Sequence, residues 1–272
     1  MIGNLFAEKF READAILIGA SNGLSITEGL HLFADNAAFE RLFGDFKRKY
    51  GLECILQGMM AGWPSEEEKW AFWTRLIHHY CGQYQPTSVM NDLKAIVGEK
   101  DYFVVTSNGE GHFELCGFDP TKIYEIEGNW FTMQCARPCH DTLYPSLEVA
   151  EKLSAAEQGG HVPAELVPRC PKCGGPMDIH MGAGQRMIQD TAAQARFQNF
   201  LKTYHGKKLV VLELGIGWRN QLINAGHCVC CFSSRRRPAP WRWPRTCARV
   251  GRGHTLPVNP QPFHPIRVST RS

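Results

Sequence analysis

Ala13-Asp14-Ala15-Ile16-Leu17-Ile18-Gly19-Ala20-Ser21-Asn22-Gly23-Leu24-Ser25 is the stretch from which the fold can be read. A short, nearly continuous apolar run ended by glycine predicts a strand buried on both faces, the usual state of strands in parallel sheets. Asp101-Tyr102-Phe103-Val104-Val105-Thr106-Ser107 and Lys208-Leu209-Val210-Val211-Leu212-Glu213-Leu214-Gly215 repeat the style, and residues 123–128 offer a fourth strand. Between them the apolar period becomes helical. Residues 36–50 put Phe39, Leu42, Phe43 and Phe46 on one face; residues 66–80 do the same with Trp70, Trp73, Ile77 and Tyr80; residues 191–204 give a third helix. Ser65 is the expected N-cap of the second, with Glu68 completing a capping box. Strands alternating with amphipathic helices predict an α/β fold, an open Rossmann-like parallel sheet with helices on both faces.

In such a sheet ligands bind beyond the carboxyl ends of the strands, and three turns occupy those ends. The first holds Gly19, Ala20, Ser21, Gly23 and Ser25. Gly19 and Gly23 would let the backbone approach a pyrophosphate, whose charge the free N–H groups of a following helix could hold. The second is Thr106-Ser107-Asn108-Gly109-Glu110-Gly111-His112-Phe113-Glu114, a dense polar cluster behind a buried strand. The third is Gly215-Ile216-Gly217.

The eleven cysteines are odd in number, and residues 1–10 lack the charged-then-apolar order of an export signal, so a disulfide framework is not expected. Cys135-x3-Cys139 and Cys170-x2-Cys173 form two close pairs, the second inside the turn-forming run Cys170-Pro171-Lys172-Cys173-Gly174-Gly175. Two such pairs supply the tetrahedral four-thiolate set that suits Zn²⁺, and four protein ligands make the zinc structural. Cys54, Cys81 and Cys116 are expected in the core. Residues 130–176 thus read as a small zinc-binding module inserted in a dinucleotide-binding domain of residues 1–129 and 177–223.

The net charge of +3, from 30 basic and 27 acidic residues, conceals a split. Residues 224–272 carry nine Arg and no acidic residue, which leaves the first 223 residues at −6. The average is therefore no argument for nucleic-acid binding. Rich in Pro and Arg, residues 224–272 are expected to be a disordered tail without regular elements. No apolar run is long enough to span a membrane, and a cytoplasmic enzyme is the expectation.

The order of these features resembles the sirtuin (Sir2-type) family of NAD-dependent enzymes. The matching elements are Gly19-Ala20-x-x-Gly23-Leu24-Ser25, then Thr106-x-Asn108, the two cysteine pairs, and the last strand with Gly215. The resemblance covers about residues 8–223, and the stretches 101–119 and 127–135 look most like the macrodomain-linked sirtuins. It implies NAD as co-substrate, bound by Gly19, Ala20, Ser21, Gly23, Ser25, Thr106, Asn108, Gly215 and Gly217. It also implies that Asn108 positions the nicotinamide ribose, that Glu110 stands for an aspartate, and that His112 or Glu114, flanking Phe113, serves as base. Asn108, Glu110 and His112 are the catalytic candidates. In this family loss of nicotinamide leaves an electrophilic ribose carbon, captured by an acyl-lysine oxygen in deacylases or by another protein group in ADP-ribosyl transfer. Gly29-Leu30-His31-Leu32-Phe33-Ala34 lacks the acidic residue and arginine of the deacylase signature, at Leu32 and Ala34, and His31 reads as a solvated loop residue. The implied activity is therefore protein ADP-ribosyl transfer, with lysine deacylation or a non-catalytic binding module as alternatives. The family's further strand beside the adenine end of NAD has no visible counterpart in the tail.

Overall fold

The computed structural model describes residues 2–137, 139–182, 187–216 and 267–271. Its main sheet has β1 (Ala15–Ala20), flanked in parallel by β2 (Asp101–Thr106) and β7 (Leu209–Leu214), with β3 (Ile123–Glu125) outside β2. All six residues of β1 are buried, as the apolar run requires. Side chains alternate between faces with the strand period of two. Ile16, Ile18, Val104 and Leu212 pack against Met90, Leu93 and Val97 of α6 (Ser88–Val97), whereas Leu17, Phe103 and Val105 pack against Phe197 and Phe200 of α9 (Thr191–Thr203). Helices thus cover both faces. Ala20 lies level with Thr106 on one side and Leu214 on the other, so the three strands end at one edge. The chain moves outward from β1 to β2 and β3, then returns to β7 on the opposite side of β1. That reversal creates the crevice in which open α/β sheets receive ligands.

A fifth strand corrects the expectation for the tail. β8 (Arg267–Arg271) pairs antiparallel with β7, from Leu209↔Arg271 to Glu213↔Arg267. The five residues Arg-Val-Ser-Thr-Arg follow the last proline, Pro265, and β7 would otherwise present an unpaired edge. The rest of the expected tail, up to residue 266, lies outside the described residues, as does Gly217.

The remaining elements build a second core. β4 (Gly128–Cys135) pairs antiparallel with β5 (Tyr144–Pro145) and β6 (Met177–Met181), and Gly128 lies opposite Met181. Against this small sheet pack α3 (Ala37–Tyr50), α5 (Glu66–Ile77) and α8 (Leu147–Ala156): Phe39, Phe43, Trp70, Phe72 and Leu76 share one cluster with Trp130, Met133, Leu153 and Ile179. The aromatic faces of α3 and α5 therefore cover the inserted segment and not the main sheet. Amphipathicity fixes that a helix face is buried but not against what. Arg75 ties three helices together by bonding Asp45 and Glu157.

Local signals act as expected at the helix starts. Asn36 Oδ1 accepts from Phe39 N at 2.8 Å and Ser65 Oγ from Glu68 N at 3.2 Å. The Glu68 side chain does not close the capping box; it meets Lys49, the Tyr50 hydroxyl and His161. Helix α5 also stops at Ile77 and widens into a π-turn over His78–Gly82, where the sequence period predicts helix as far as Tyr80. Of the three cysteines expected in the core, Cys81 is buried while Cys54 and Cys116 are only half-buried.

Candidate functional site

The glycine turn after β1 leads into α2 (Asn22–Thr27). Gly19 and Ala20 are strand residues, and the Ala20 carbonyl accepts from Ser107 N at 3.2 Å. Gly23 N donates to the Gly215 carbonyl at 3.1 Å, and a Cβ on Gly23 would stand 2.5 Å from Gly215 Cα. Gly215 itself has φ +64°, and a Cβ there would strike Leu24 N and the Gly23 backbone. Gly23 and Gly215 lie where the turns after β1 and β7 touch backbone to backbone, a packing requirement for glycine at both positions.

The polar turn after β2 lies beside it. Thr106 Oγ1 accepts from Asn108 N at 3.0 Å, Ser107 Oγ lies 3.1 Å from Ser21 Oγ, and Asn108 Nδ2 donates to the Ser21 carbonyl at 3.2 Å. These contacts fix the amide of Asn108, whose buried Oδ1 has no protein partner. Ser25 Oγ donates to Glu110 Oε1 at 2.6 Å inside the protein. At α7 (His112–Leu115) the chain turns His112 inward, 4% exposed, while Glu114 is exposed and Phe113 joins the sheet core against Phe118. Of the two flanking candidates for base, the fold brings in His112. Gly109 and Gly111 leave room for the rings of Trp130 and Phe131 at the start of β4, so the turn is braced by the second core.

The imidazole is held on two sides. His112 Nε2 lies 2.9 Å from the Tyr80 carbonyl in the π-turn, and Tyr84 stacks on the ring at 3.9 Å with planes 11° apart. A carbonyl can only accept, so Nε2 carries the hydrogen. In the neutral ring Nδ1 is then a free lone pair, without a hydrogen-bond partner and 3.7 Å from Glu110 Oε1. Tyr84 is fixed in turn: its hydroxyl donates to Glu28 Oε2 at 2.6 Å, and Thr87 Oγ1 donates to Glu28 Oε1 at 2.6 Å.

Together with Leu24, Phe113 and Gly111, the residues Glu28, Thr106, Asn108, Glu110, His112 and Glu125 line a recess with about 10 Å³ of free space, room for about one water. Sequence reading missed Glu28, Tyr84 and Glu125. For Glu125 a signal existed, since a carboxylate at the end of β3 lies level with Thr106. Burial pushes its carboxyl up to about 8, aided by the charges of Glu110, Glu114 and Asp190 and opposed by the hydrogen bond from Asn129 Nδ2. This environment favours the protonated form of Glu125. His31 stays at the surface, where its Nδ1 accepts from Phe33 N at 3.3 Å.

The second core carries the thiols. Cys135 ends β4, and Cys170 lies in a knuckle closed by Gly174 N donating to the Cys170 carbonyl at 2.8 Å, with Gly174 at φ +67°. Sγ separations are 3.4 Å for Cys135–Cys139, 3.6 Å for Cys135–Cys173 and 3.6 Å for Cys139–Cys170. Zinc–sulfur bonds of about 2.3 Å in a tetrahedron place sulfurs about 3.8 Å apart, so the expected set fits Zn²⁺. Without a cation such a cluster resists ionising together. Burial and its neighbours push the Cys139 thiol up to about 12, whereas backbone N–H groups of Cys173 and Lys172 outweigh burial and draw Cys170 down to about 6. His140, which the sequence reading passed over, places Nδ1 2.8 Å from Cys139 Sγ.

No family model matches the chain. It is 33% identical over 212 residues to a protein ADP-ribosyltransferase of Staphylococcus aureus (strain Mu50 / ATCC 700699), a match covering 76% of this chain and 66% of the relative. It is 31% identical over 225 residues to a probable bifunctional ADP-ribose hydrolase/ADP-ribosyltransferase of Fusarium oxysporum f. sp. cubense, covering 79% of this chain and 37% of that protein. The chain therefore spans just under two thirds of one relative and little more than a third of the other. Among solved structures, one Sir2 homologue mutant with ADP-ribose matches at TM-score 0.47 and 12% identity over 72% of this chain and 68% of the other. A second, with 2′-O-acetyl-ADP-ribose, matches at 0.49 and 14% over 71% and 68%. With its motif order, its parallel sheet and its 33% identity to the staphylococcal enzyme, the chain belongs to the sirtuin-type family.

Proposed function

We propose that this chain transfers ADP-ribose from NAD⁺ to a protein acceptor and releases nicotinamide. The observation that carries this reading is the pair of unsatisfied atoms, Asn108 Oδ1 and His112 Nδ1, in a recess between α2 and the carboxyl ends of β2 and β3. Buried polar atoms without protein partners mark places where a ligand supplies the missing bonds. The staphylococcal relative is named for the same activity.

NAD⁺ supplies a ribose carbon that becomes strongly electrophilic as nicotinamide leaves. Asn108, its Nδ2 already bonded to the Ser21 carbonyl, presents Oδ1 to a ribose hydroxyl. His112 Nδ1 accepts a proton from that hydroxyl or from the incoming nucleophile, and the Tyr80 carbonyl steadies the imidazolium through Nε2. Glu110, anchored by Ser25, adds negative charge beside the positive charge that develops. Glu125, whose carboxyl is pushed upward by burial, would offer an O–H to the same recess when protonated. A ribose needs more room than one water, so the lining side chains part as NAD⁺ enters. We further propose that Cys135, Cys139, Cys170 and Cys173 hold a structural Zn²⁺ that fixes β4, and with it the Trp130 and Phe131 brace on the polar turn.

Offering NAD⁺ together with candidate acceptor proteins and an acetyl-lysine peptide separates the readings. Mass spectrometry is expected to find ADP-ribose on protein. Stoichiometric O-acyl-ADP-ribose would assign lysine deacylation, and no product with no NAD⁺ binding in calorimetry would leave a binding module.

A further inference from the structure

We infer that the metal centre has a fifth protein ligand, His140, which takes the fourth position when Cys173 is lost. This rests on the zinc reading above. Three thiols, Cys135, Cys139 and Cys170, and His140 Nδ1 all lie within 4.8 Å of one another. His140 Nδ1 is 2.8 Å from Cys139 Sγ and 4.0 Å from Cys170 Sγ. Ligands of a four-coordinate zinc stand about 3.6–3.8 Å apart, given bonds of about 2.3 Å to sulfur and 2.1 Å to nitrogen. A tilt of the ring that lengthens the first distance and shortens the second brings it into that range.

The far side of the ring is prepared for the role. His140 Nε2 lies 2.8 Å from the Tyr144 hydroxyl, and the two rings meet edge to face at 5.7 Å. A metal-bound imidazole binds through one nitrogen and donates its other N–H to an oxygen that fixes its orientation, and the phenol oxygen is such an acceptor. While four thiolates hold the zinc, His140 Nδ1 is no ligand, and the opposite tautomer, Nδ1–H toward Cys139 Sγ and the Tyr144 hydroxyl donating to Nε2, fits the same two contacts. In the exchanged form the ring carries its single hydrogen on Nε2: the Nδ1 proton is given up to solvent, Nε2 takes one up from solvent, and the phenol turns to accept it. Two features make Cys173 the ligand replaced. Like Cys139 it is exposed, whereas Cys135 and Cys170 are buried, and of the four thiols it alone is missing from the group of mutually close donors that includes His140. Three thiolates and one imidazole form one of the common zinc sets.

The test uses the full chain with zinc alone as the ligand. Metal per chain is measured after dialysis, and the zinc X-ray absorption edge counts sulfur against nitrogen neighbours. Wild type is expected to hold one zinc with four sulfurs. Cys173→Ser should keep it with three sulfurs and one nitrogen, whereas Cys173→Ser/His140→Ala and Cys170→Ser lose it. Cys173→Ser as empty as the double variant, or unchanged by adding His140→Ala, would overturn the inference. Where Cys173→Ser does not fold, His140→Ala in the wild-type background serves: zinc content unchanged, but loss to a chelator about tenfold faster or more, that is at least about 1.4 kcal/mol on the barrier. An equal rate contradicts it. Wild type without zinc sinks the metal reading itself, with this inference.

Discussion

His112 owes its usable nitrogen to a carbonyl 32 residues away. The Tyr80 oxygen, displaced by the π-turn, commits Nε2–H and leaves Nδ1 to the recess. Replacing His112 by Ala should lower the NAD⁺-dependent rate about 10²–10⁴-fold, the usual worth of a general base, with little loss of NAD⁺ affinity in calorimetry; an unchanged rate would assign the proton to another group. Glu125 yields a prediction about stability. Its carboxyl titrates at about 8 when folded, because of burial, against 4.5 in the unfolded chain. Between these values the folded state holds a proton that the unfolded state has released, so this group makes stability fall as pH rises from about 4.5 to about 8. Glu125→Gln should therefore match the wild-type melting temperature near pH 5 and exceed it at pH 8.5. The reverse order would show a Glu125 carboxylate that is stabilising when charged. Thr106, Asn108, Glu110 and His112 were legible in the sequence because they follow one buried strand without a break. Glu28 and Glu125 reach the recess, and Tyr84 reaches the His112 ring, from three other parts of the chain, and no local pattern announces a contact made only by folding.

The first and last parallel strands meet through two glycines. The apolar runs that became β1, β2 and β7 were readable because a strand buried on both faces needs apolar residues at every position. The contact between Gly23 and Gly215 was not, since a missing Cβ says that something comes close but not what. Gly215→Ala puts a methyl group against the Gly23 backbone and demands φ +64° of alanine. It should cost about 1–3 kcal/mol as an overpacked site, read as a lower denaturant midpoint at constant slope. A neutral effect would mean that the two turns separate readily. The cysteine pairs were legible for a different reason, as metal chemistry restricts ligand type and spacing more tightly than packing does. His140 escaped the same reading because it extends a pair already complete.

Two cores share this molecule, and the polar turn lies between them. Trp130 N donates to the Gly109 carbonyl at 2.7 Å, while its ring lies in the core built by α3, α5 and β4. Periodicity could not assign α3 and α5 to that second core, since an amphipathic helix is the same sequence whichever layer it covers. The connection would give the proposed zinc a reach as far as the polar turn: stripping it with a chelator should lower the melting temperature and the transfer rate together, and restoring zinc should recover both. Melting lowered without a change in rate would uncouple the cores. The account as a whole meets its most direct test in one reaction, with adenine-labelled NAD⁺ and a protein acceptor, followed for nicotinamide released and label retained on protein. The expected result is one label retained for each nicotinamide released, with both lost together in Asn108→Ala. Nicotinamide released without label on protein, or label transfer undiminished in Asn108→Ala, would contradict it.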